Sequence, residues 1–374
     1  VGKPIVTLIA KPGGTNTGVG RYVHMLHEGL QAAGVAATRI APKAPPLPGI
    51  VYNGLRRFGP DLRTFFLNYP VTAKYPRADV YHLTSQNLAS LLLFHRPPGK
   101  VIVTVHDIIP YMLRDKPKFK SYGTAIDRFF DRLAMDGLKR ADRLIADSHY
   151  TKQCIESYLR IPRDKIDVVH LGIDQQRFRQ QRVPPALYER YNLSPDRLYV
   201  IYVGSEDPRK NLDTLLNALP LVCRGFPELS LLKVGRAHHT DERQRLLNLA
   251  AELGVDSVIH FLDDVAEDDL PLLYNLADLC VMPSHYEGFG FPVLEAMACG
   301  TPVVCAKTSS LPEIAGNAAM LFDPNDMYSL AMAIVRCLAH PLDYQLRRSR
   351  GMDHVKAFTW EETTRQTLNL YTMM

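Results

Sequence analysis

The sequence predicts an α/β protein made of two doubly wound domains. Three observations carry this. Short, β-branched apolar runs alternate with amphipathic helical patterns. The alternation restarts once in mid-chain. The length, 374 residues, suggests two cores rather than one.

Taken in order, IVTLIA (5–10) is a first strand, followed by a glycine-rich turn and the helical GRYVHMLHEGLQAAG. VYHL (80–83), KVIVTVHD (100–107), RLIADS (143–148) and KIDVVHLG (165–172) are further strands. Between them, YGTAIDRFFDRLAMDGLKRA repeats apolar residues at i, i+3 and i+4 and is a helix. The pattern begins again with LYVIYVG (198–204) and continues with LSLLKVG (229–235), SVIHFL (257–262), LCVMP (279–283) and PVVCA (302–306). FTWEETTRQTLNLY closes the chain as an amphipathic helix carrying its only tryptophan, Trp360. The reading divides the chain into residues 1–195, 196–350 and a terminal helical segment 351–374. Strand–helix alternation of this kind builds parallel βαβ units, whose ligands bind at the carboxyl ends of strands. Two such sheets facing each other would hold a ligand in the cleft between them.

Composition is that of a globular protein, 46% hydrophobic and 22% charged. No apolar run reaches the roughly 18 residues of a membrane span. VGKPIVTLIAKPGG reads as a first buried strand rather than a signal peptide. The six cysteines contain no C-x-x-C and are expected as buried free thiols of a cytosolic protein. The proline-rich APKAPPLPG (41–49) reads as a loop. Charge is uneven. Residues 1–195 hold 29 Lys and Arg against 15 Asp and Glu, a balance of +14, whereas residues 196–374 hold 15 against 24, a balance of −9. A basic half of this kind fits an anionic partner, and a solvated surface fits it equally.

Four glycines, Gly13, Gly14, Gly18 and Gly20, lie in KPGGTNTGVGRY after the first strand. Such a turn lets backbone N–H groups approach an anion at a helix start. It is neither a P-loop, since Val19-Gly20 stands where Lys-Ser/Thr is required, nor a dinucleotide fingerprint, since Val23 replaces the third glycine. A merely tight turn remains open. In YVGSEDPRKNL, Pro208 suits a first helical position and puts Arg209 and Lys210 in the first turn. Cations oppose the helix dipole there, which makes sense if an anion binds. In EGFGFPVLE, Glu287 is on a loop at a strand end. Pro292 opens a helix that Gly300 ends, and Glu295 lies in its first or second turn, pointing back toward the same cleft. Carboxylates beside glycine-rich backbone suit a polyhydroxylated, phosphorylated ligand such as a sugar nucleotide. A surface glutamate and a helix-start glutamate would produce the same spacing.

EGFGFPVLEAMACGTPVV resembles the E-x7-E signature of the retaining glycosyltransferases of family 4, which have the GT-B fold. GVGRY, VHDI (105–108), PRKN, HLGID (170–174), SSLPEIAG (309–316) and the terminal FTWEETTRQTLNLY extend the resemblance over nearly the whole chain. It implies two Rossmann-like domains facing across a cleft, with the last helix crossing back to the N-terminal domain. By that resemblance Glu287 contacts donor-sugar hydroxyls and Glu295 binds the ribose. Phe289, Gly290 and Phe291 present backbone N–H groups, and Arg209 and Lys210 hold the diphosphate. Val265 contacts the nucleobase, Gly18 and Gly20 approach the diphosphate, and His106 lies beside the donor sugar. Two positions depart from the pattern. Ser205 stands where an arginine is usual, and Asp263 replaces the glycine of the usual FLG.

The implied reaction is a metal-independent, retaining hexosyl transfer, and no D-x-D motif is present. Arg209, Lys210 and helix starts would stabilise the departing diphosphate. HYEGFGFP and SSLPEIAG look most like bacterial mannosyltransferases of polysaccharide assembly, which implies GDP-mannose as donor, with a UDP-sugar as the alternative. The expected acceptor is a glycan or a polyprenyl-diphosphate-linked oligosaccharide. Location is expected in the cytoplasm, with peripheral contact to the anionic inner face of the plasma membrane and no nucleic-acid partner. A sugar-nucleotide epimerase of the same fold would turn over without an acceptor. A non-catalytic sugar-nucleotide-binding protein would bind and not turn over. A nicotinamide enzyme is disfavoured by the broken glycine fingerprint.

Overall fold

The computed structural model describes residues 2–12, 17–43, 66–119, 122–237 and 240–374. Gly13, Gly14 and most of the segments 41–49 and 52–70 lie outside the described residues. Two compact units emerge, one of residues 1–172 with 360–374, the other of residues 173–359. The sequence reading drew the lines at 195/196 and 350/351. The second unit's contacts take in 173–195 as well, through bonds such as Ile173 N to Phe358 O and Gln181 N to Asn275 Oδ1.

The first unit is a six-stranded sheet in the order β2-β1-β3-β4-β5-β6, with β1 Val6–Ile9, β2 Ala37–Ile40, β3 Val80–Leu83, β4 Lys100–Val105, β5 Arg143–Ala146 and β6 Ile166–Val168. All of its strand pairs are parallel. Helix α1 (Gly18–Ala32) buries Tyr22, Val23, Leu26 and Leu30, one face at helical spacing. Helix α2 (Ala125–Leu138) starts in a capping box, Thr124 with Asp127. A short α3 (His149–Cys154) follows β5.

The second unit orders its strands β12-β11-β10-β7-β8-β9, again all parallel. They are β7 Leu198–Val203, β8 Leu229–Val234, β9 Ile259–Leu262, β10 Leu279–Met282, β11 Val303–Ala306 and β12 Met320–Phe322. After a short helix over Pro185–Arg190, the helices are α4 Leu212–Gly225, α5 Thr240–Glu252, α6 Asp269–Leu276, α7 Phe291–Ala298, α8 Leu311–Ala315, α9 Met327–Ala339 and α10 Pro341–His354. The strand order reverses between β7 and β10 here, and between β1 and β3 in the first unit. Open parallel sheets bind ligands at these switch points.

The last helix, α11 (Trp360–Thr372), belongs to the first unit. It meets α1 at Gly29, where a Cβ would collide with Thr364 Oγ1. Tyr371 and fully buried His82 share a hydrogen bond of 2.6 Å, and the other ring nitrogen of His82 bonds Thr104 Oγ1 at 2.7 Å. Burial drives the His82 imidazole down to about 3, so the ring is neutral in this network. All six cysteines are free, five of them buried.

Two strands have no counterpart in the sequence reading. β2, ATRI, is an edge strand with no fully buried residue, and β12, MLF, is an edge of three residues. ATRI presents no apolar run, and MLF is too short to mark a strand by itself.

Candidate functional site

The second unit's switch point gathers two loops. The first, after β7, runs through Ser205 to Asn211. Pro208–Lys210 forms a single 3-10 turn rather than the first turn of the helix, which corrects the expected position of Arg209 and Lys210. The cause is Asn211. It adopts a left-handed conformation (φ 60°), and its side-chain N–H groups donate to Pro283 O (3.0 Å) and Pro324 O (2.8 Å). Helix α4 starts only after it. The two cations are thereby presented from a rigid turn next to the helix start.

The second loop, after β10, carries the glutamate. Glu287 is 7% exposed. Its carboxylate accepts two hydrogen bonds from Lys210 Nζ, at 2.7 and 2.9 Å, and one from Ser284 Oγ at 2.7 Å. Arg209 Nη1 stands 3.8 Å from the same carboxylate and donates to Tyr286 O at 3.0 Å. Burial pushes the Glu287 carboxyl up, but Lys210 and Arg209 outweigh it and hold it below the ordinary glutamate value. Asp207 stands 3.8 Å from Arg209 as well, so two cations and two carboxylates share this corner of the sheet.

The loop backbone is fixed from β11's side of the sheet. Ser309 Oγ accepts from Glu287 N at 3.1 Å, and Ser310 Oγ donates to Glu287 O (3.1 Å) and Phe289 O (2.7 Å). Gly290, at φ 114°, is the N-cap of α7 and needs to be glycine. Phe289 and Phe291 stack edge to face, 5.2 Å apart. Glu295 is 4% exposed and accepts from Tyr274 OH at 2.9 Å. The two glutamates therefore rest on different partners.

Ser205 Oγ donates to Asp207 at 2.8 Å. Val265 is half-buried in the loop after β9. Beside it, Asp263 pairs with Arg243 (2.5 and 3.0 Å), which also grips the buried Glu206. Glu206 accepts in turn from the buried Lys233 at 2.6 Å. The substitution of aspartate at 263 is thus absorbed into a network of two cations and two carboxylates.

His106, Gly18 and Gly20 belong to the first unit. Gly18 opens α1, and the amide of Gly20 donates to Thr17 Oγ1 at 3.0 Å, the cap of that helix. His106 follows β4. Its Nδ1 lies 2.6 Å from Asp147 Oδ2, its Nε2 donates to Thr84 O at 3.0 Å, and Tyr22 packs edge-on at 5.1 Å. Burial pushes the imidazole down, and Asp147 more than reverses this, so His106 titrates above its ordinary value. With Nδ1 on Asp147 and Nε2 on Thr84 O, the His106 ring is fixed in orientation.

Sequence reasoning missed Asp147, Ser284, Tyr274 and the Glu206–Lys233–Arg243 cluster. Asp147 sits in RLIADS at a strand end and Ser309 and Ser310 in SSLPEIAG, so a signal existed for both. Among the described residues there is no group of three or more His, Cys, Asp or Glu side chains placed to hold a metal ion. No described helix is long and apolar enough to cross a membrane.

Two doubly wound units, one with a cation pair and a carboxylate at its switch point, make up a glycosyltransferase of the GT-B type. Residues 16–177 match the family model for Glycosyltransferase Family 4, and residues 186–351 that for glycosyl transferases group 1. An O-antigen chain mannosyltransferase B of Escherichia coli is 32% identical over 281 residues, 74% of this chain and 71% of the relative. The serotype-specific mannosyltransferase WbdA of Escherichia coli is 26% identical over 286 residues, and the match spans only 34% of its length. Among solved structures, Anabaena HepE in complex with UDP and glucose superposes with a TM-score of 0.74 at 18% identity, covering 99% of this chain and 100% of that one. This last likeness carries the fold. The chain belongs to glycosyltransferase family 4.

Proposed function

We propose that this glycosyltransferase moves mannose from GDP-mannose, with retention of configuration, to a hydroxyl of a glycan or of a polyprenyl-diphosphate-linked oligosaccharide. The observation that carries the reading is the convergence of Lys210 and Arg209 on buried Glu287 at the second unit's switch point. The mannosyltransferase relatives support the choice of sugar. In this reaction the bond from the anomeric carbon to the diphosphate breaks, and its electron pair stays on the phosphate oxygen. Lys210 and Arg209 stabilise the charge that develops there. The acceptor oxygen bonds to the same carbon from the same face, and its proton passes to that phosphate oxygen. Glu287, already held by Lys210 and Ser284, accepts hydrogen bonds from donor-sugar hydroxyls rather than attacking the anomeric carbon. Glu295 binds the ribose, Val265 lies against the base, and the amides of Phe289, Gly290 and Phe291 meet the sugar and diphosphate. The two side-chain cations do the work of a metal, so a chelator should leave turnover unchanged. The basic first half favours peripheral contact with an anionic membrane.

A second reading, a UDP-sugar donor, is favoured by the likeness to a protein solved with UDP and glucose. Turnover with GDP-mannose and with UDP-glucose, followed by NMR of the product's anomeric proton, separates the two. Mannose transfer giving the donor's anomeric configuration is expected. Transfer from UDP-glucose alone would replace the donor, and an inverted product would overturn the mechanism.

A further inference from the structure

His106 follows β4 and Asp147 follows β5. The parallel register that sets Val105 against Ala146 carries on by one residue and sets the histidine against the aspartate. Their side chains differ in exposure. That of His106 is 12% exposed and that of Asp147 only 1%, so the imidazole reaches the surface and the carboxylate is covered.

Several features oppose a carboxylate at this place. Burial raises the Asp147 carboxyl, and the charge of Asp107 works against it in the same direction. Its Oδ1 is buried and has no hydrogen-bond partner among the described residues. A group that only filled space here would avoid that deficit. What offsets it is the 2.6 Å contact of Oδ2 with His106 Nδ1, with His170 adding attraction. The ring itself is confined from several elements. Thr84 O after β3 meets Nε2, Gln86 Oε1 accepts from the backbone amide at 3.3 Å, and Tyr22 of α1 packs edge-on. Asp107 and the neutral His82 are the other titratable groups that act on it among the described residues.

We infer that Asp147 is a positioning residue for the transfer reaction: by holding Nδ1 it fixes the imidazole so that Nε2 is the nitrogen presented to the donor sugar. Which ring nitrogen carries the proton is set by the partner of the other, and a carboxylate can only accept. An asparagine could turn its NH2 group to Nδ1 and select the opposite tautomer. In the reaction Nε2 gives up Thr84 O for a sugar oxygen, while Nδ1 stays on Asp147. The inference rests on the glycosyltransferase reading and on the place the family resemblance gives His106, and it adds how that histidine is held.

The test follows nucleotide release from GDP-mannose or UDP-glucose, whichever the wild type turns over, by the full chain with methyl α-mannopyranoside as acceptor. Asp147→Asn should lower kcat about 10²-fold with GDP affinity unchanged. His106→Gln should lower it similarly, and the double variant should be no slower than His106→Gln alone, since Asp147 acts through the ring. Losses that multiply in the double variant overturn the inference, and so does an unchanged rate in Asp147→Asn. Long-range proton–nitrogen NMR spectra of the imidazoles, with His106 assigned by its absence from His106→Gln, read the pair without turnover and decide the matter should Asp147→Asn not fold. In the wild type Nδ1 should keep its proton and the ring should titrate above 6.5. In Asp147→Asn it should titrate lower, because burial is then opposed only by Asp107 and Thr84 O. A ring protonated on Nε2 alone, or one that titrates at its ordinary value, overturns the assignment. Failure of the donor reading is seen separately, as absence of GDP binding with the His106 spectrum as expected.

Discussion

Replacing Glu287 by glutamine separates what holds the donor from what drives transfer. The side chain keeps its size and one carbonyl oxygen and loses its charge. At 2.7 Å from Lys210 Nζ, and an effective dielectric near 20, the pair's gross attraction is about 6 kcal/mol. Desolvation of both groups offsets much of it. Breaking one side of a buried pair costs about 3–5 kcal/mol, and the amide's remaining oxygen puts Glu287→Gln near the lower end. At roughly 2–4 °C per kcal/mol for a unit of this size, the second unit should melt about 6–12 °C earlier by calorimetry. The linked pH effect has a definite sign. Glu287 titrates below its ordinary value in the folded protein. Its stabilisation is therefore complete above pH 4.5 and is lost as pH falls through the folded value. Glutamine abolishes that acid-side loss. The functional effects should diverge. Lys210, no longer paired, is free to meet the diphosphate, so GDP should bind equally well or up to about tenfold tighter. Transfer should fall about 10²–10³-fold, because the group facing the donor sugar is gone. Calorimetric titration with GDP beside initial-rate transfer reads both. Wild-type transfer with weakened GDP binding would refute the argument.

Three further outcomes follow from the same geometry. His82 titrates near 3 in the folded state against 6.5 ordinarily. The first unit should therefore gain stability as pH rises from 3 to 6.5, by up to about 5 kcal/mol. Trp360 reports on this unit, and in urea melts followed by its fluorescence His82→Gln should flatten the slope; an unchanged slope would remove His82 from the account. Lys233→Met leaves Glu206 buried with only Arg243 and should cost about 3 kcal/mol, whereas Lys233→Met with Glu206→Met should recover most of it. No recovery in the double variant would mean that the charges are not coupled. Gly29→Ala should loosen α11 from α1 at a cost of about 1–3 kcal/mol, read by hydrogen exchange across residues 360–372; unaltered protection would show that the contact is slack.

Most central strands were legible, because a strand covered on both faces needs a continuous apolar run, and LYVIYV or VVCA has no other use. β2 and β12 were not: ATRI has no buried residue and MLF is only three residues long, whereas the other two edges, β6 and β9, carry longer apolar stretches. The start of α4 was misplaced because Pro208 is a good helix opener locally, while Asn211 resets the backbone through carbonyls 72 and 113 residues away. At the site, the chemistry-bearing residues could be read one by one: Glu287 from its glycines, Arg209 and Lys210 from their unfavourable charge beside a helix start. Their pairing could not. Whether a buried carboxylate is held by Lys210, as Glu287 is, or by Tyr274, as Glu295 is, depends on which strands lie side by side. Asp147 escaped notice for the same reason. RLIADS shows an aspartate at a strand end, and only the β4–β5 pairing brings it against His106.

The central claim is that the second unit's switch point is a sugar-nucleotide site whose diphosphate is held by side-chain cations. Calorimetric titration of the full chain with GDP, GDP-mannose, UDP and UDP-glucose, in the presence of a chelator, tests it most directly. The account predicts one-to-one binding of GDP and GDP-mannose without metal, lost in Lys210→Ala with Arg209→Ala. Binding that needs a divalent metal, or that survives removal of both cations, would contradict it.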